Sequence, residues 1–155
     1  MNKILISSCL LGEKVRYNGE SKAFIDPRLA RWQEEGRLIP VCPEMEGGLP
    51  VPRPPAQRRG DRVVTEDGSD VSQAFQLGAQ AALALARQHG ASVALLKQNS
   101  PSCGSRFIHD GSFQGMLIPG EGVTTELLRQ HGIAVFGEDQ LDEAERMLEE
   151  ARLPD

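Results

Sequence analysis

The sequence predicts an α/β fold built on a mainly parallel sheet of about four to five strands flanked by helices. Three observations lead there. Short apolar runs of strand length alternate with amphipathic stretches of helix length. Gly and Pro residues punctuate the junctions between them. The 155 residues suit one domain around one core, and they show no internal repeat and no shift of composition that would mark a boundary.

The elements follow in order. Residues 3–8 form an apolar run closed by Ser8-Cys9 and read as a buried first strand. Pro27 opens a helix with Asp26 in the N-cap position, and Gly36 ends it. Residues 38–42 are a second strand, stopped by Pro43. Residues 44–69 are rich in Gly, Pro and Arg, and an irregular segment of that length reads as a binding loop or lid. Within it, residues 62–65 followed by Asp67-Gly68 suggest a small hairpin. The clearest helix covers residues 70–89, with Asp70 as cap, Phe75, Leu77, Ala81, Leu85 and Ala86 as its apolar stripe, and Gly90 as its stop. Residues 92–96 make a third strand, residues 122–131 a helix ended by Gly132, and residues 133–136 a fourth strand. Residues 140–152 close the chain as an amphipathic helix with Leu141, Ala144 and Leu148 on one face. Four strands in alternation with four helices describe a single Rossmann-like domain over residues 1–155.

Composition narrows the function. Apolar residues make up 39% and charged residues 25%, the balance of a soluble folded chain and not of a disordered one. The net charge of −5 argues against nucleic acid as a partner, because a phosphate backbone demands a basic footprint. Arg53, Arg58, Arg59 and Arg62 form a local basic run, which reads first as a solvated loop. No apolar run reaches the roughly 20 residues that span a bilayer, and the N-terminal stretch reads as a strand and not as a signal peptide. An odd count of three cysteines fits reduced thiols in the cytoplasm better than a disulfide framework. Oligomeric state is left open.

The cysteines carry the sharpest signal. Cys9 ends the first strand, Cys42 ends the second, and Cys103 lies a few residues past the third in the loop KQNSPSCG. Ligands of open parallel sheets collect outside the carboxyl ends of the strands, so the three thiols are expected at one rim. A single Cys is most simply a small buried hydrophobe. Three of them, each at a strand-to-loop junction beside Gly, Pro or Ser, read as a site. Three thiolates suit zinc or an iron–sulfur cluster. Zinc asks for a fourth ligand, yet His89 and His131 stand at helix C-termini before glycines and His109 looks like a turn residue. A cubane held by three thiolates keeps one iron without a protein ligand, and the all-sulfur donor set favours that choice.

The segments SSCLLGEKVRYNGESK, PVCPEMEGGLPVPRPP and LLKQNSPSCGS, taken together, resemble the thiouracil desulfurases, and the likeness runs from Lys3 to the last helix. The resemblance implies an α/β domain and an oxygen-sensitive [4Fe-4S] cluster, with Cys9, Cys42 and Cys103 in the three ligand positions. It implies non-redox removal of sulfur from thiolated pyrimidine bases, such as 2-thiouracil to uracil plus hydrogen sulfide, with the substrate sulfur on the open iron. Some relatives carry an added domain and act on transfer RNA; no such domain is seen here, so a free base is expected.

Water attack then needs a general base. Glu44, two residues past Cys42, is the expected one and Glu46 its rival, while Ser100 matches the family's catalytic serine. Expected substrate contacts are Ser7, Ser8, Tyr17, Asn18 and Ser102, with Gly47-Gly48 permitting close backbone approach. Arg16 sits in the same VRYNG turn, and Arg53 and Lys97 could hold an anion or a base carbonyl. Two other readings stand beside this one: a non-catalytic cluster-binding or sulfur-carrier module, and a zinc or thiol enzyme.

Overall fold

The computed structural model describes residues 2–12, 26–98 and 100–150. Its centre is a four-stranded sheet of β1 (Ile4–Ser7), β2 (Leu38–Val41), β5 (Val93–Leu96) and β8 (Ala134–Gly137), in the order β2-β1-β5-β8. All three pairings are parallel, with Ser7 beside Val41, Ile6 beside Leu95 and Leu96 beside Gly137. The chain passes from β1 to β2 on one side and then crosses to β5 on the other, which creates a switch point beside β1.

Both faces of this sheet are covered, which explains why β1 and β5 are continuous apolar runs with no polar alternation. Ile4, Ile6, Val93 and Leu95 face α1 (Pro27–Glu34) and α5 (Leu141–Glu150), which add Leu29, Trp32, Leu141, Ala144 and Leu148. Leu5, Ala94, Leu96 and Val135 pack with Ala82, Leu83 and Ala86 of α3 (Ser72–His89) and Leu128 of α4 (Val123–Gln130). The fold is therefore the α/β, Rossmann-like arrangement that the alternation of elements predicts. Among the described residues no helix is long and apolar enough to cross a membrane.

Local chemistry sets the element ends. Asp26 caps α1, accepting the Arg28 amide at 2.8 Å, and Pro27 occupies the first turn where a missing N–H costs nothing. Asp70 accepts the Ser72 amide at 2.8 Å at the start of α3. The stripe on α3 differs from the expected one. Phe75, Gly78, Ala79, Ala82, Leu83 and Ala86 are buried, Ala81 and Leu85 are half-buried, and Leu77 is 49% exposed. Small residues face inward because α3 lies close against both α4 and the short helix α2 (Pro43–Glu46).

Two hairpins stand outside the parallel sheet. Residues 62–65 form β4 (Arg62–Thr65) as expected, but its main partner precedes it: β3 (Ala56–Arg59) pairs antiparallel across a turn at Gly60-Asp61. The Asp67-Gly68 turn then returns the chain to a single bridge between Val64 and Asp70. The second hairpin, β6 (Phe107–His109) with β7 (Leu117–Pro119), has no counterpart in the expected elements.

Candidate active site

The carboxyl ends of β1, β2 and β5 open into one cavity of about 550 Å³. Its wall includes Ser7, Ser8 and Cys9 after β1, Cys42 and Glu44 after β2, and Lys97, Gln98, Ser100, Ser102 and Cys103 after β5. The three strands are neighbours with β1 in the middle, so cysteines separated widely in the chain share one cavity. Cys9 lies in a single 3-10 turn, Ser8–Leu11, that leaves β1 directly. Cys42 is the N-cap of α2, and Pro43 starts that helix.

The surroundings of Cys103 and Cys42 favour the neutral thiol over the bare thiolate. Cys9 and Cys103 are buried and Cys42 is half-buried, and none of the three is in a disulfide. Burial pushes the Cys103 thiol up to about 12; the hydroxyls of Ser102 and Ser7 oppose the rise, while Glu44 and Cys9 add to it. Burial also raises Cys42, against which the Met45 amide at the start of α2 acts. Bare thiolates are therefore disfavoured here, and a metal centre with positive charge would reverse the balance, since coordination deprotonates a thiol. Among the described residues no group of three or more His, Cys, Asp or Glu side chains is placed to hold a metal ion by itself. The cavity wall carries three cysteine sulfurs, the donor type that iron–sulfur clusters use.

The Cys103 loop is held from behind by the start of α4. The Val123 amide donates to Pro101 O at 2.9 Å, and the Thr124 amide to Ser102 O at 2.8 Å. Thr125 Oγ1 donates to Cys103 O at 2.9 Å, and the Thr124 and Ser102 hydroxyls meet at 2.7 Å. A Cβ on Gly122 would overlap the Ser102 carbonyl, so this approach requires glycine. Ser100 Oγ accepts the amides of Ser102 at 3.1 Å and Cys103 at 3.2 Å. Its own hydroxyl proton remains available to donate, and Ser100 lines the cavity.

Glu44 is fixed by Arg53, which is buried and not a solvated surface cation. Arg53 Nε donates to Glu44 Oε2 at 2.7 Å, its Nη2 lies 2.5 Å from the same oxygen, and its Nη1 donates to Pro50 O at 3.1 Å. Both contacts to Glu44 use Oε2, which leaves Oε1 for another partner. Glu46 is exposed and stands outside the lining. Lys97 does line the cavity, but its Nζ is engaged by Glu138 at 3.2 Å.

Ser7, Ser8 and Ser102 all stand in the cavity wall, and Ser7 Oγ also accepts the Lys97 amide at 2.9 Å. Gly47 and Gly48 stand outside the lining. Gly47 instead packs on α3, where an added Cβ would overlap the Ala74 carbonyl, and Gly48 turns the chain at φ +94°. Tyr17 and Asn18, with Arg16, lie outside the described residues.

Several site residues escape sequence reasoning. Thr124 and Thr125 carry no motif, although two hydroxyls at a helix start just after a glycine hint at capping of something nearby. His109 ends β6, where it lines the cavity together with Gln57, Phe113 and Gly115.

Comparison with known proteins agrees with this geometry. Residues 4–140 match the family model described as 2-thiouracil desulfurase. The chain is 41% identical over 150 residues to the uncharacterized protein YbbK of Bacillus subtilis (strain 168), covering 90% of this chain and 98% of that protein. It is also similar to a solved structure described as the [4Fe-4S]-dependent thiouracil desulfidase TudS, at 52% identity and a TM-score of 0.95, over 96% of this chain and 99% of the other. With the family model spanning every strand of the central sheet and all three cavity cysteines, this chain belongs to the 2-thiouracil desulfurase family.

Proposed function

We propose that this chain is a cytoplasmic, single-domain desulfurase that converts 2-thiouracil or a similar thiolated pyrimidine to its oxo form without net redox change. In that reading Cys9, Cys42 and Cys103 hold one [4Fe-4S] cluster, the cofactor named for the TudS relative. The observation that carries it is that three cysteines and an arginine-fixed carboxylate line one cavity at the ends of three adjacent strands. When bound, a cluster with three thiolate ligands supplies an iron site open to a soft sulfur atom of the substrate.

The protein residues do the rest. Glu44 Oε1 takes a proton from water as its oxygen attacks the thiocarbonyl carbon, and Arg53 keeps the carboxylate in place. Ser100 donates a hydrogen bond to the ring, with its oxygen already anchored by two loop amides. Carbon loses sulfur and gains oxygen, and both protons of the water leave with the sulfide, so a thiocarbonyl and water give a carbonyl and hydrogen sulfide. Anaerobic incubation of cluster-loaded protein with 2-thiouracil should release uracil and sulfide in equal amounts with no electron donor or acceptor. A sulfur carrier would release neither, and a zinc enzyme would remain active after iron removal.

A further inference from the structure

The cavity has a second wall that comes from outside the parallel sheet. Gln57 of β3, His109 of β6 and Phe113 of the β6–β7 loop form it. Two features set it apart. Among the described residues four buried side-chain polar atoms have no hydrogen-bond partner, on Asn2, Arg37, Ser92 and His109, and of these only His109 lines the cavity. Its Nδ1 is a hydrogen-bonding group that folding leaves unused. Phe113 is the non-glycine residue found at positive φ, +60°, a conformation costly for a bulky side chain. That conformation is held by Gln57 Oε1, which accepts the Phe113 amide at 3.2 Å and the Gly111 amide at 3.0 Å. The hairpin thus places Phe113 and His109 in the wall of the cavity that also contains the cysteines, with the His109 Nδ1 buried and unpartnered.

A pyrimidine offers a flat face and an edge of alternating ring N–H and carbonyl groups. From the match between that pattern and this wall we infer that His109 and Phe113 recognise the thiolated base. The imidazole hydrogen-bonds the ring edge, and Phe113 packs on the face. Imidazole can donate or accept, so it serves whichever edge group faces it. A site that satisfies a buried polar group through its substrate discriminates strongly against analogues lacking that group. This inference rests on the desulfuration reading and adds the residues that select the base.

The test uses cluster-loaded full-length protein under anaerobic conditions, with uracil affinity measured by calorimetry and KM measured for 2-thiouracil. His109→Phe keeps a ring and removes the nitrogen. Phe113→Asn removes the ring yet keeps a residue that tolerates positive φ. Each should weaken uracil binding and raise KM by about 10-fold, the size of one lost ligand contact, and His109→Asn should return most of the loss. If His109→Phe does not retain the visible absorption of the cluster, Phe113→Asn carries the comparison. Wild-type uracil affinity and KM in the loaded variants would overturn the inference while wild-type turnover leaves the desulfuration reading intact. Wild-type protein that releases no sulfide from 2-thiouracil would overturn both.

Discussion

Glu44 is oriented before any substrate arrives. Its Oε2 is bound by two nitrogens of Arg53, and the pair sits with side chains only 16% and 5% exposed. Removing either charge from such a pair strands the other away from water. Glu44→Gln keeps the shape and still offers Arg53 an oxygen. With the proton acceptor gone, desulfuration should fall about 10²- to 10⁴-fold, the usual contribution of general base catalysis, while cluster absorption stays at the wild-type level. Near-wild-type turnover would remove Glu44 from the reaction. The position of Glu44 in the cavity wall was legible in the sequence, because it follows Cys42 by two residues at the end of a strand. Arg53 was not legible in this role, because it lies nine positions past Glu44, beyond a proline-rich stretch in which no periodicity says which way it turns.

At the scale of elements, two contacts set the positions of cysteine-bearing loops. The short helix that follows Cys42 meets α3 through Gly47 and Gly78, and a Cβ on Gly78 would overlap the Pro43 carbonyl. Gly78→Ala must therefore push α2 away from α3 and shift Cys42. Overpacking of this kind costs about 1–3 kcal/mol, so thermal unfolding should move down and iron content should drop with it. Behind Cys103, Thr125 donates to the Cys103 carbonyl inside the core. Thr125→Val leaves that carbonyl unpaired at a cost of about 1–3 kcal/mol. Visible absorption should bleach faster in the presence of a chelator, and Thr125→Ser should restore the wild-type rate.

These elements also show what sequence pattern can and cannot reveal. The parallel strands and main helices were readable because burial on both sheet faces forces apolar runs and 3.6-residue stripes into the sequence. The β6–β7 hairpin was not, since its strands are three residues each and Phe107, Leu117 and Ile118 are exposed, which erases any in-and-out alternation. The face of α3 was misassigned for a related reason. Size suggests that Leu77 goes inward, but close helix packing selects Gly78, Ala79 and Ala82 instead.

Over the whole molecule, strand order makes the site. Placing β1 between β2 and β5 gathers the loops that carry Cys9, Cys42 and Cys103 at one rim, and the two hairpins add walls that the parallel sheet alone lacks. The rim was predictable, because ligands of parallel sheets collect at strand carboxyl ends. The hairpin walls depend on contacts between distant segments, such as Gln57 with Gly111, which leave no local trace. The central claim is that all three thiols hold one cluster. Iron and acid-labile sulfide should be measured on anaerobically purified wild type and on Cys9→Ala, Cys42→Ala and Cys103→Ala. About four irons and about four sulfides are expected per wild-type chain, with both falling sharply in every single variant. A wild-type chain loaded with a single metal ion, or any one variant that keeps the full cluster, would contradict it.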